Sequence, residues 1–255
     1  MLRFLSLAAP ISSVKNGQPL TTLPTKKVAI VQSNYIPWKG YFDLINLVDE
    51  FVLFDDMQYT RRDWRNRNLI KTRDGPKWLT IPVAVKGNYF QSIKDTRVSD
   101  PGWARRHWES IVHNYSKATH FAAYRELFEG LYLGSQESFL SQINYAFLTA
   151  ICKILGINTR ISWSEDYALA EGKTERLVSI CKQAGGTTYI SGPAARDYID
   201  QTLFNDASIS LEYIDYSSYP EYKQLFPPFE HGVSVIDLIF NEGPDSPKYM
   251  KSFAR

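Results

Sequence analysis

The sequence predicts an α/β fold of Rossmann-like type, with a mostly parallel sheet and a helical insertion near its middle. Three observations predict it. Short apolar runs rich in β-branched residues alternate with helix-period segments, the pattern of strands joined by crossover helices. Two such alternations, over residues 27–54 and 160–214, lie on either side of a stretch of helical periodicity at about 102–156. The composition is that of a globular chain: of 255 residues 44% are apolar and 22% charged, and 29 Lys+Arg against 27 Asp+Glu leave a net charge of +2. That balance excludes wholesale disorder and argues against bulk electrostatic capture of nucleic acid.

Each element follows from local pattern. Val28-Ala29-Ile30-Val31 reads as a buried strand, 41–48 as a helix with Phe42, Ile45 and Val48 at helical spacing, and Phe51-Val52-Leu53-Phe54 as a second strand stopped by Asp55-Asp56. Residues 78–83 read as a third strand, with Pro82 implying an edge position. Helices are expected over 103–115, behind Asp100-Pro101-Gly102, and over 138–155, where Leu140, Ile143, Phe147, Ile151 and Leu155 form one stripe ending at Gly156. Then come a strand at 160–163, a helix at 174–184, a strand at 187–190, a helix at 194–200, a strand at 209–214 and a helix at 233–240. Residues 27–255 are expected to form a single domain with the helical insertion at about 102–156; residues 1–26 are read as a disordered extension and not as a secretion signal, because the apolar run Phe4-Leu5-Ser6-Leu7-Ala8-Ala9 is short and dissolves into polar residues.

Several chemistries are excluded or weakened early. No stretch approaches about 18 apolar residues, so no membrane span is expected. Cys152 and Cys181 sit on apolar helical stripes and in no C-x-x-C pair, which fits core packing in a cytoplasmic protein. His107, His113 and His120 are six and seven residues apart, a spacing that presents no metal-binding pair, and no metal site is expected. The sequence names no cofactor. Aromatic residues, 14% of the chain with 16 Tyr and 6 Trp, suit a dense core and equally a pocket for a planar or sugar-like small molecule.

Four segments can carry chemistry, each at or near the carboxyl end of an expected strand, where open α/β sheets bind ligands. Gln32, Asn34 and Lys39 offer donors between the flat walls of Tyr35 and Trp38. Asp55 and Asp56 offer carboxylates that can orient hydroxyls or accept a proton from an amine; on a strand only one of two neighbours faces a given side. Residues 61–73 hold six basic residues against one acid, and Arg65, Asn66 and Arg67 within them are candidates to clamp phosphate. Ser191-Gly192 follows a strand and opens a helix, with Arg196 one turn further to meet the same anion.

Taken together, VAIVQSNYIPWKGYFDLI, FVLFDDMQYTRRDWRNRNLIK, GKTERLVSICKQAGGTTYISGPAARDYI and the closing FEHGVSVIDLIFNEG resemble the WbqC-like family over residues 27–243. That family is bacterial and often encoded among surface-polysaccharide (O-antigen) genes. The resemblance implies attachment of an amino acid, such as glycine, to an amino sugar. A second similarity concerns pocket position: Pro37-Trp38-Lys39-Gly40-Tyr41 falls where HIGH-type nucleotidyltransferases carry H-x-G-H, but Trp38 and Tyr41 replace both histidines.

The expected activity is therefore acylation of an amino sugar linked to a nucleotide. The arginines would hold the diphosphate, Asp55 or Asp56 would orient or deprotonate the amine, and Ser191 and Gly192 would stabilise the oxyanion. An ATP-dependent ligase or nucleotidyltransferase, and a non-catalytic sugar-nucleotide binding protein, are the competing expectations.

Overall fold

The computed structural model of the protein describes residues 25–254, so the extension expected over 1–26 lies outside the described residues except for Thr25 and Lys26. The strands are β1 (Lys27–Val31), β2 (Glu50–Leu53), β3 (Arg67–Thr72), β4 (Gly75–Thr80), β5 (Arg160–Trp163), β6 (Thr188–Ser191) and β7 (Ser210–Tyr213). The α-helices are α1 (Lys39–Asn46), α2 (Trp103–Tyr115), α3 (Phe121–Leu133), α4 (Leu140–Leu155), α5 (Lys173–Gln183), α6 (Gln201–Asp206) and α7 (Val235–Glu242). Five strands form one parallel sheet in the order β5-β2-β1-β6-β7. The chain winds outward from β1 through β2 to β5, then crosses to the other side of β1 for β6 and β7. The fold is thus Rossmann-like, with its topological switch point between β1 and β6.

Strand alternation builds the layers. Val28, Ile30, Val52 and Tyr189 join Leu177, Ile180 and Cys181 of α5 and Phe204 of α6 in one apolar cluster. Ala29, Phe51, Leu53 and Ile190, one residue out of phase, join residues of α1, α4 and α7 in the other. Successive side chains of a strand point to opposite faces, so these short apolar runs supply both cores. Burial pushes the thiols of Cys152 and Cys181 up to about 12, as fits inert core residues.

The connection from β2 to β5 departs from expectation. The strand expected at 78–83 is β4, and it pairs antiparallel with β3 in a separate ribbon instead of edging the main sheet. Its partner lies inside the basic segment, where the charges obscure a period of two: Asn68 and Ile70 are buried while Arg67 and Leu69 are half-buried. Helices α2 and α4 lie where expected, and Gly156, at φ 73°, supplies the left-handed residue that stops α4. Helix α3 was not anticipated, although Phe121, Phe128 and Tyr132 share its buried face. The helix expected at 194–200 is a 3₁₀ turn over Pro193–Asp197, followed by α6, which restarts because the Asp200 carboxylate accepts the Thr202 N–H at 2.9 Å.

Phe240 of α7 links the insertion to the rest: its ring lies 5.4 Å from Tyr115, 5.1 Å from Phe121 and 5.1 Å from Phe128. Among the described residues no helix is long and apolar enough to cross a membrane. Phe240→Ala leaves a cavity shared by α2, α3 and α7, and should cost about 3–5 kcal/mol in denaturant unfolding. A loss under 1 kcal/mol, on the same general scale for core truncations, would show that the three helices close without it.

Candidate functional site

The carboxyl ends of β1, β2 and β6 leave the sheet on one edge, because the three strands are parallel neighbours. The segment after β1 is zipped to the segment before β3: the Tyr35 N–H donates to the Trp64 carbonyl at 3.0 Å, and Asn68 Nδ2 donates to the Tyr35 carbonyl at 3.1 Å. This pairing brings Arg65 against Gln32 and Asn34. Its guanidinium donates through Nη1 to Asn34 Oδ1 at 2.6 Å and through Nη2 to Gln32 Oε1. The nearest carboxylate in an ion pair with it, Asp63, stands 3.6 Å away. Arg65 is therefore oriented at contact distance by two neutral amides, with the Asp63 carboxylate standing further off.

Below it lies a buried network. Asp55 is 1% exposed; its Oδ1 accepts the Ser33 N–H at 2.8 Å and its Oδ2 accepts the Ser141 hydroxyl. Asn144 of α4 donates to the Ser33 hydroxyl at 3.0 Å and to the Arg65 carbonyl at 2.9 Å. Burial pushes the Asp55 carboxyl up, opposed by the hydrogen bonds from Ser141 and Ser33 and by the charge of Arg65. Both oxygens are engaged within the protein. Asp56 points elsewhere, as strand alternation requires: it pairs with the Lys94 ammonium at 2.5 Å and accepts the Ser164 hydroxyl at 2.5 Å. Burial alone would raise its carboxyl, but Lys94 and Ser164 outweigh that and hold it low.

Arg65 Nε, Arg67 Nε, Asn66 Oδ1 and Asn144 Oδ1 are buried without a hydrogen-bond partner among the described residues. Such atoms are uncommon in folded proteins. These four lie on the basic segment and the helix residue packed against it; the Tyr219 hydroxyl, beside Trp38, is a fifth. Asn66 otherwise donates to the Ile81 carbonyl at 2.8 Å. Arg67 lies 4.0 Å over the Trp78 ring and donates to the Arg62 carbonyl at 2.5 Å.

The remaining candidates are placed as follows. Tyr35 is fully buried in an aromatic cluster of Trp103 and Phe147, and its hydroxyl meets His107 Nδ1 at 2.9 Å and the Tyr132 hydroxyl at 2.6 Å. Its ring braces the helical layer and is no wall of the sheet edge. Trp38 stacks edge-on against Tyr216 and Tyr219. Lys39 is buried, with Nζ donating to the Pro220 carbonyl at 2.8 Å beneath the rings of Tyr219 and Tyr222. Ser191 is buried at the end of β6, and Gly192 sits close enough that a Cβ there would come within 3.9 Å of the Tyr216 ring. Tyr216 thus spans from Trp38 to Gly192 and links the β1 and β6 ends. Arg196 is exposed, forms no ion pair with Asp197 or Asp200, and lies 4.4 Å over Tyr213.

Ser33, Ser141 and Asn144 were not anticipated. Ser33 lay within a singled-out segment, but Ser141 and Asn144 sit on a helix read only for its apolar stripe. A cleft of about 240 Å³ opens between α2, α3 and α4, floored by Trp103, Tyr132, Ile143 and Phe147. It backs onto the Tyr35 cluster, and no Lys or Arg lines it.

A doubly wound parallel sheet, with a guanidinium held by two side-chain amides of the segment that follows β1, defines a Rossmann-like α/β protein. The WbqC-like protein family model matches residues 32–249, and the chain belongs to that family. It is 53% identical over 226 residues, 89% of this chain and 98% of the relative, to the "Uncharacterized protein Rv1507c" of Mycobacterium tuberculosis (strain ATCC 25618 / H37Rv). No solved structure matches.

Burial lowers the Lys39 ammonium to about 8, against the opposing pull of Asp43 and Glu221. The folded state then binds fewer protons than the unfolded state between about pH 8 and the ordinary lysine range, so stability rises with pH across that window. Lys39→Met removes this dependence. Denaturant unfolding should show wild type gaining on the variant from pH 8 to pH 10; a constant difference would mean that Lys39 titrates as a solvated lysine.

Proposed function

We propose that the protein is a transferase that acylates the amine of an amino sugar carried on a nucleotide, with an amino acid such as glycine as the acyl group, in bacterial surface-polysaccharide (O-antigen) biosynthesis. The observation that carries this reading is Arg65, a guanidinium oriented by two amide oxygens of the segment that follows β1. The part of the Arg65 side chain that remains accessible, 16%, is what a phosphate oxygen would meet, and Arg67 lies in the next outward-facing position of the same segment. Family membership supports the polysaccharide setting.

Amide formation requires the acceptor ammonium to lose a proton before its nitrogen attacks the acyl carbon, and the bond from that carbon to the donor's leaving group then breaks. Of the two carboxylates, Asp56 is held as a weak base by Lys94, whereas burial raises the proton affinity of Asp55. Asp55 is assigned as the base in this reading; because it and Ser141 are each 1% exposed, the proton would have to be relayed to it through the Ser141 hydroxyl hydrogen-bonded to it. Ser191 and Gly192, on the neighbouring strand end, are assigned to the oxyanion, and Arg196 to the distal phosphate.

Calorimetric titration with nucleotide-linked amino sugars tests the reading. Arg65→Ala should lose about 2–3 kcal/mol of binding, the scale of a broken charge-assisted contact. Arg196→Ala, on an exposed side chain, should lower affinity with an unchanged melting temperature. Equal affinity of wild type and both variants would remove the phosphate site. Pyrophosphate release dependent on ATP would convert the transferase into a ligase, and tight binding with no turnover for any acyl donor would leave a binding protein.

A further inference from the structure

Beside the sheet edge, a loop presents two aromatic rings to solvent. Tyr89 and Phe90 are 72% and 83% exposed and contact each other edge to face at 5.0 Å. The loop beneath them is fixed. Gln58 Nε2 donates to the Tyr89 carbonyl at 3.0 Å, the Tyr59 N–H donates to the Gln91 carbonyl at 3.0 Å, and Gln58 bridges Ser92. The rings are therefore held outward by backbone contacts and do not fold back onto the nearest apolar surface, as burial of their area would otherwise favour.

The strand segment that anchors this loop runs directly into Arg61 and Arg62, and Lys86 precedes the rings by three residues. All three cations are exposed, and none forms an ion pair among the described residues. Asp63, the acid between them, is turned to the Thr60 hydroxyl at 2.6 Å and to Arg65. Trp64 and Trp78, each more than 40% exposed, stack at 5.3 Å alongside. Exposed rings and unpaired cations thus lie on two segments joined by the Gln58–Ser92 bridge and the Tyr59–Gln91 hydrogen bond.

We infer that this surface docks the protein on an anionic lipid bilayer, with Tyr89 and Phe90 inserted at headgroup depth and Arg61, Arg62 and Lys86 against the lipid phosphates. The charge complementarity selects this occupant. Amphipathic rings are favoured at the membrane–water interface, and each nearby cation adds attraction to an anionic leaflet. A nucleic acid would require a longer basic stripe than a chain of net charge +2 provides. The inference does not rest on the transferase reading, because neither ring nor any of the three cations belongs to the proposed phosphate site.

Cosedimentation with vesicles decides it. The full chain should sediment with vesicles of phosphatidylcholine mixed with phosphatidylglycerol at low salt, and remain in solution with phosphatidylcholine alone or at high salt. The double variant Tyr89→Ser/Phe90→Ser should lower the partition coefficient about tenfold or more, through the lost interfacial anchors. Arg61→Gln/Arg62→Gln should lower it by a similar factor and flatten the salt dependence. Both variants change exposed side chains, and unchanged melting temperatures confirm that they fold. Absence of binding to the anionic vesicles, or binding that either variant leaves intact, overturns the inference. Capture of a protein or nucleotide through the two rings, without vesicle binding, does so too.

Discussion

A carboxylate withdrawn from water must find donors, and Asp55 finds one on each side. The Ser33 N–H comes from the end of β1 and the Ser141 hydroxyl from the first turn of α4. One buried side chain at the end of β2 thereby joins the neighbouring central strand to the helix that closes the long crossover. Asn144, one turn along α4, extends the tie to the Ser33 hydroxyl and the Arg65 carbonyl. Removing one partner would leave a buried charge or donor unsatisfied, so the network forms as a unit. The position of Arg65, and of everything that depends on its guanidinium, follows from that unit.

Arg65 itself shows why the amide side chains of the first loop matter. A guanidinium hydrogen-bonded to a carboxylate would have its charge answered at contact. Here Gln32 and Asn34 make the short contacts through neutral oxygens, and the Asp63 carboxylate stands back at 3.6 Å. Asp56 illustrates the opposite outcome one residue from Asp55, since Lys94 and Ser164 consume its oxygens on the far side of the strand end.

Much of the sheet was legible because its strands are short apolar runs between clear stop signals, and because parallel strands buried on both faces need no alternation. What escaped were features fixed by partners distant in sequence. The β3–β4 ribbon hides in a run of charges, because its period of two is carried by asparagines and an isoleucine. The turn at Pro193–Asp197 has the sequence of a helix start, but Asp200 caps a separate helix beyond it. At the site, Gln32, Asn34 and Arg65 stood out as residue types, yet their mutual contact depends on the zipper between residues 34–35 and 64–68. Tyr35 looked like a pocket wall, and its partners, His107 and Tyr132, are set by tertiary packing alone.

The closing FEHGVSVIDLIFNEG segment holds none of the candidate side chains, and its place in the fold explains its presence among the motifs. The Ser234 N–H donates to the Leu69 carbonyl of β3 at 2.8 Å, and the Val235 N–H donates to the Pro37 carbonyl of the first loop at 2.9 Å. Asp237 then accepts from Tyr115 at 2.9 Å, Tyr222 at 2.7 Å and Gln224 at 2.9 Å. Tyr115 also accepts the Lys71 N–H of β3 at 2.8 Å. A second buried carboxylate therefore fixes the far end of the ribbon whose near end carries Arg65. With Asp55 holding the strand ends and Asp237 holding the ribbon, the guanidinium is constrained from both sides. A ligand meeting it would find the binding geometry already formed, and little conformational entropy would be lost on binding.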